Sequence, residues 1–373
     1  MQRNAFERLV ADALASLPRR FRNAMENIAI VVEDEPSSEL LDEMEIEPPD
    51  TLLGLYQGTP LTERGWGYGN TLPDRILIFQ GPHERDAEDE DDLVVAIGET
   101  LVVLTRNVDL SVGSVVGLSA YVSANMFQTH HGIAIPVVFL VGLGVGLACG
   151  LVTGLITAVG RVPSLVVTLA MLYIIRGVDT IIVGSGQVVA NSLPNSFINI
   201  FHATVLGIPD LAIAVAVAVA LAAYYLKSYR SGRDLYAIGS DPEAARLAGI
   251  PIAKRVFIAF VLSGSIAGLA GVVWATQYNT IDATAANGLE LQIIAAVVVG
   301  GVAIFGGSGS VVGAALGALL LQTINVALNV LGVPSLWTEA IAGFLLLVAI
   351  TIDRGIQLRL AAALRKRRSH LGA

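Results

Sequence analysis

From residue 110 onward the chain is a succession of apolar segments, eight of which reach or approach the length needed to cross a bilayer. They cover roughly 110–128, 133–160, 163–183, 205–226, 255–277, 290–305, 309–331 and 335–352. Peptide groups in hydrocarbon must be satisfied within the segment, so runs of this kind fold as helices. Composition agrees, since only 15% of the 373 residues are charged, where a soluble chain carries about a quarter. The formal net charge of −9 averages two unlike parts. Residues 1–92 hold 8 Lys/Arg against 21 Asp/Glu, whereas residues 93–373 hold 15 against 11. The acidic first part disfavours a nucleic-acid partner, and the second needs only membrane lipid around it. Cys149, the single cysteine, lies in an apolar run, which excludes a disulfide framework or a cysteine-based zinc site.

The expected fold class is therefore mainly α, a polytopic helical membrane protein of about eight spans, preceded by a small α+β cytoplasmic domain. The expected divisions are an acidic domain over 1–92, a junction over 93–109, the transmembrane domain over 110–353, and a basic tail over 354–373. Phe6, Leu9, Val10, Ala13, Leu14 and Leu17 fall at helical spacing and predict a helix over 4–17 that ends at Pro18. "NIAIVVED" and "RILIFQG" read as strands, "SSELLDEME" as a short helix behind a serine cap, and "EPPD" and "GWGYGN" as turns.

Orientation is read from Lys/Arg placement. The loop 227–255 carries Lys227, Arg230, Arg233, Arg246, Lys254 and Arg255, and the tail carries Arg359, Arg365, Lys366, Arg367 and Arg368. Both are expected in the cytoplasm. Counting spans back from there, and finding no uninterrupted apolar leader at the start, places residues 1–109 there too. Both termini are then cytoplasmic. Residues 93–105, about 20 Å long as a helix, fall short of a hydrocarbon core of about 30 Å. The neighbouring segment 110–128 is expected to show its apolar face to lipid as a result.

Glycines recur every four residues at Gly142, Gly146, Gly150 and Gly154, again at Gly309, Gly313 and Gly317, and in the pair Gly264 and Gly268. Small residues at that spacing let helix backbones approach closely. Polar residues within the spans are few: Asn287, Glu290, Gln292, Gln322, Asn325, Asn329 and Glu339, with Trp274 and Trp337 able to stack on sugar faces. Two readings stand for each of them, packing or interfacial anchoring on one side and a solute pathway on the other. "GGVAIFGGSGS" is not a phosphate loop, because no Lys-Ser/Thr follows its glycines. No Walker-type sequence occurs elsewhere, so ATP hydrolysis must come from another polypeptide.

In "GSDPEAARLAGIPIAKRV", residues 239–256, Asp241 can cap a helix that starts at Pro242 and stops at Gly249. Such a helix is either a connector or a docking element. The segment resembles the coupling loop of bacterial ABC importer permeases. With "VDLSVGSVVGLSA", "RVPSLVVTLAML", "IIAAVVVGGVAIFGGSGSVVGAALGALLL" and "LGVPSLWTEAIAGFLLLVAITID" it looks like the permease family that imports ribose, xylose and related monosaccharides. The resemblance covers about residues 100–353 and implies coupling residues Glu243, Ala244, Ala245 and Gly249. It also implies a second permease subunit in a homodimer, cytoplasmic ATPase subunits, a periplasmic or lipid-anchored sugar-binding protein, and a place in the bacterial inner membrane. No covalent chemistry, cofactor or catalytic residue is implied. That family usually has two glycines where this chain has Arg106 and Asn107.

The first part resembles another family. "LPRRFRNAMENIAIVVEDEP", "LLGLYQGTPLTERGWGYGNTLPDRILIFQGP" and "DDLVVAIGETLV" look like the small zincin-like metallopeptidases. In that family the last of these runs into His-Glu-x-x-His, whose two histidines bind zinc from one helix face. Here Val102 is followed by Val103, Leu104, Thr105 and Arg106, and the five histidines have no such spacing. No metal is expected. The chain reads as a fusion near 99–104, and three alternatives stand beside a monosaccharide permease. They are a permease for nucleosides or another small polar solute, a membrane-anchored remnant of a metallopeptidase, and a non-functional fusion.

Overall fold

The computed structural model describes residues 10, 28–44, 52, 54–57, 74–79, 91–130, 132–184, 186–189, 192–201, 204–205, 208–278, 280–330, 337, 340–341, 343–348 and 350–351. The helix expected over 4–17, the turns at EPPD and GWGYGN, Glu339 and the basic tail lie outside the described residues. The segment 335–352 is described only in part. The chain forms two compact units, Met1–Glu88 and Asp89–Ala373.

In the first unit, strand β1 (Ile28–Glu33) runs parallel to β3 (Asp74–Phe79), and β2 (Gly54–Gln57) pairs antiparallel with β3, giving the order β1-β3-β2. β1 and β3 fall on the two segments read as strands, whereas β2 has no counterpart in the sequence reading. Val32, Leu77 and Phe79 are buried against this sheet. Helix α1 (Ser38–Glu43) starts behind Ser37, whose hydroxyl accepts the Leu40 N–H at 3.3 Å. The expected serine cap is therefore present.

The second unit is a helix bundle. Its first helices are α2 (Asp91–Val103), α3 (Val112–Thr129), α4 (Ile135–Gly154, continued as a π-turn over Leu155–Val159) and α5 (Ser164–Val183). Then come α6 (Asp210–Ser228), α7 (Arg230–Ser240), α8 (Pro242–Leu247), α9 (Ile252–Gln277), α10 (Leu289–Val299) and α11 (Val311–Val330). Among the described residues, five helices are long and apolar enough to span: Ile135–Val159, Ser164–Val183, Asp210–Ser228, Ile252–Gln277 and Val311–Leu328. The segment expected at 290–305 does not cross. Its helix α10 has 11 residues, about 16 Å, and gives way at Gly300 to a glycine-rich loop that returns along α11.

Helix α9 is the axis of the bundle, with α2, α3 and α4 packed around it. The two glycine series meet each other there. A Cβ on Gly146 would strike the Gly264 carbonyl and lie 2.7 Å from the Gly268 Cα, and one on Gly150 would lie 2.7 Å from the Phe260 carbonyl. The Ser119 hydroxyl of α3 donates to the Gly268 carbonyl at 2.6 Å and ties a third helix to the crossing. Gly313 and Gly317 of α11 pack in the same way on Gly300 and Ala296. In hydrocarbon, backbone proximity of this kind supplies the attraction that water supplies elsewhere.

Helix α2 is buried on nearly every side, with Val95, Ala96, Glu99, Thr100, Val102 and Val103 all at 1% exposure or less. It packs on α9, α10 and α11, so residues 91–103 sit inside the bundle. The expectation that 110–128 faces lipid fails. Thirteen residues of α3 are buried, because α4, α5, α9 and α10 leave it little free surface. Lipid-type faces lie instead on α4, α5, α6 and α11, where Leu140, Leu165, Ile181, Leu221 and Leu316 are among the exposed side chains.

Candidate functional site: a capped loop helix and polar groups within the bundle

Helix α8 is closed at both ends by its own sequence. The Asp241 carboxylate accepts the N–H groups of Glu243 at 3.0 Å and Ala244 at 3.1 Å, and Pro242 fills the first position, where no donor is needed. At the other end Gly249 takes φ +76°, with its N–H on the Arg246 carbonyl and the Ile250 N–H on the Ala245 carbonyl, both at 3.0 Å. This pair of reversed bonds needs a left-handed residue. Nothing lies within 4 Å of a Cβ added there, so the demand for glycine is conformational and not steric. Gly249→Val should cost roughly 1 kcal/mol or more of loop-helix stability, read as faster amide exchange over 243–250, while the spans stay intact.

The four residues expected to couple divide by exposure. Ala245 is buried against the bundle, whereas Glu243, Ala244 and Gly249 face outward. Glu243 pairs with Arg246 at 2.6 Å, but both side chains are about 70% or more exposed, so the pair adds little. The outstanding group is one that the sequence reading passed over, Leu247, which is 84% exposed at the tip of the loop. Beneath α8, α7 is anchored by Leu235 and Ile238, by the Asp234–Arg255 ion pair at 2.8 Å, and by the Tyr236 hydroxyl on the Gly309 carbonyl at 3.1 Å. Burial pushes that phenol's pKa up.

The residues assigned to a solute pathway are partly brought together. Gln292 of α10 and Asn325 of α11 line one small cavity with Ala296, Ala318 and Leu321. The Asn325 side-chain amide donates to the Gln322 side-chain oxygen Oε1 at 3.4 Å. Asp92 of α2 lines the same cavity, a contribution that only the packing of α2 reveals. Trp274 is half-buried and stacks on Tyr278, with ring centroids 4.0 Å apart and planes at 12°. Asn287 is exposed on the turn before α10, and Glu290 is buried against Gly113.

Two charged residues of α5 escaped the sequence reading, although charges inside an apolar run are the usual signal. Arg176 donates to the carbonyls of Ala283, Ala285 and Ala286 at 3.4, 2.7 and 3.3 Å. It thereby ties α5 to the turn that precedes α10. Asp179, one turn further along, is fully buried, and neither carboxylate oxygen has a hydrogen-bond partner among the described residues. Further polar groups are buried in the bundle, among them Glu99, Asp109, Thr168 and Gln277, but no three His, Cys, Asp or Glu residues gather closely enough to hold a metal among the described residues.

A bundle of apolar spans around a glycine-packed axis, with a capped helix on its longest charged loop, defines a multi-pass membrane transport protein. Residues 93–350 match the family described as branched-chain amino acid transport system / permease component, and the chain belongs to it. It is a transporter subunit and not an enzyme. The autoinducer 2 import system permease protein LsrC of Enterobacter sp. (strain 638) is 36% identical over 261 residues, covering 70% of this chain and 75% of that protein. The probable ABC transporter permease protein y4mJ of Sinorhizobium fredii (strain NBRC 101917 / NGR234) is 35% identical over 262 residues, covering 70% and 78%. LsrC of Escherichia coli (strain K12 / DH10B) is 34% identical over 276 residues, covering 74% and 80%. Residues 25–104 match the zincin-like metallopeptidases, and this match overlaps the permease match within α2. No solved structure matches the chain.

Proposed function

We propose that this chain is the membrane-spanning permease of an ABC importer for a small polar solute of the monosaccharide class, working by alternating access. A separate cytoplasmic ATPase drives it, a periplasmic or lipid-anchored binding protein delivers the solute, and a second permease subunit completes the pathway. The observation that carries the reading is α8, a short helix capped at both ends that holds Leu247 out in water. An exposed leucine on an ordered helix suits burial in a partner's groove. The amide groups of Gln292, Gln322 and Asn325, with the Asp92 carboxylate, supply the donors and acceptors that solute hydroxyls need. Relatives named for autoinducer 2 import favour a small polar solute in general over ribose or xylose in particular.

The deciding experiment is co-purification with the ATPase and binding protein, followed by solute-stimulated ATP hydrolysis in proteoliposomes. An ATPase that neither binds nor is stimulated would falsify the reading. The loop is assigned to the cytoplasmic side of the inner membrane by its basic residues. A cysteine placed at the exposed Arg246, with Cys149 replaced by alanine, should resist a membrane-impermeant maleimide in intact cells and react after permeabilisation. Reaction in sealed cells would reverse the assigned orientation.

A further inference from the structure

We propose that Arg106 is a tether that carries movement of the docking helix α8 into the buried helix α2, a positioning role that rests on the permease reading above. Three backbone segments converge just ahead of α8. One is residues 104–106, following α2. The second is Gly239 and Ser240, at the end of α7. The third is Gly306 and Gly307, in the loop between α10 and α11. Arg106 Nε donates to the Gly239 carbonyl at 2.5 Å, and its Nη2 donates to the Ser240 carbonyl at 2.8 Å. The Gly307 N–H donates to the Leu104 carbonyl at 3.1 Å. A Cβ on Gly239 would strike that same Leu104 carbonyl and the Gly307 nitrogen, and one on Gly307 would lie 2.5 Å from the Ser240 nitrogen. The seam is therefore backbone against backbone, too close to slide without moving all three segments.

Its position in the chain gives the seam a use. Ser240 is followed directly by Asp241, the cap of α8, so the guanidinium grips the last two carbonyls ahead of the docking helix. These sit at the C-terminus of α7, where the helix dipole favours a cation. The other end of the loop is fastened to α2, because the Asp109 N–H donates to the fully buried Glu99 carboxylate at 3.0 Å. Asn107 closes the turn between them through its amide on the Thr105 carbonyl at 3.0 Å. A pull on α8 thus reaches α2 through Ser240, Arg106 and the loop, and at the far end of α2 lies Asp92, which lines the small cavity with Gln292 and Asn325.

The backbone of Arg106 adds a second argument. It holds φ +66°, a left-handed conformation that suits glycine and disfavours every side chain. The two carbonyl contacts are what offsets that strain. Arg106→Gly accordingly relaxes the backbone and removes only the tether, and Arg106→Lys keeps a cation with fewer fixed donors.

The test uses the full chain with its ATPase in nanodiscs, carrying Asp92→Cys and Cys149→Ala, and follows maleimide labelling of residue 92 in nucleotide-free and ATP–vanadate-trapped states. With Arg106 present, the labelling rate should differ between the two states. In Arg106→Gly both charge-assisted hydrogen bonds are lost, and that difference should shrink by about tenfold or more toward none, since one such bond alone represents about that factor in an equilibrium. Arg106→Lys should restore part of it, with ATPase binding and membrane level unchanged in both variants. A purely structural staple would leave the nucleotide dependence intact in Arg106→Gly, and that result overturns the tether. So does equal labelling in both states when Arg106 is present. Failure of the ATPase to bind the chain with Arg106 present overturns the permease reading itself, and the tether with it.

Discussion

Gly146→Val should abolish assembly of the bundle, whereas Gly144→Val on the same helix should be nearly silent. The two positions differ in what they face. A Cβ on Gly146 collides with the Gly264 carbonyl and the Gly268 backbone, while one on Gly144 meets nothing within 4 Å. Overpacking a core costs roughly 1–3 kcal/mol even where side chains can give way. Here both obstacles are backbone, so the helices must separate, and the Ser119 bond to the Gly268 carbonyl is strained with them. The expected loss is about 3 kcal/mol or more, a large share of the total for any domain. Thermal unfolding in detergent, with monodispersity by size exclusion, reads the difference. Equal stability of the two variants would mean that α4 and α9 do not cross on their glycines.

Leu247→Asp should leave the isolated chain unchanged and remove the ATPase. Leu247 is 84% exposed, and surface substitutions of that kind usually shift stability by less than about 0.5 kcal/mol. In the proposed complex the same side chain would be buried, and a leucine moved out of water contributes about 1.5–3 kcal/mol. An aspartate at that point forfeits this contribution and must also be desolvated. The combined change of about 3–5 kcal/mol corresponds to an affinity weaker by about a hundredfold to a few thousandfold. Pull-down of the ATPase and its stimulation by solute should both disappear. A complex of unaltered affinity in Leu247→Asp would locate the docking surface elsewhere on the chain.

Much of this was legible in the sequence because it depends on local chemistry. Apolar length specifies a span through the cost of unsatisfied peptide groups in lipid. Asp241, Pro242 and Gly249 specify α8 through capping and a left-handed turn, and each acts within a few residues of chain. Glycines spaced by four marked the packing faces, and both series did turn out to face another backbone. The strand pair over 28–33 and 74–79 followed from β-branched runs bounded by turns.

What the sequence could not contain is which faces meet. Nothing in thirteen residues around Glu99 says that their helix lies at the centre of the bundle, since a segment too short to span looks superfluous until α9, α10 and α11 are placed around it. The same ignorance made 110–128 look like a lipid-facing helix. It hid Asp92 from the polar cavity, and it left Arg176 and Asp179 unnoticed beside the turn at 283–286. Local propensities and caps act over one turn, and they do not account for the left-handed Arg106 in the loop after α2. The grip of Arg106 on two carbonyls more than a hundred residues away exists only once the three backbones of the seam are packed together, and that was decided by the tertiary structure alone.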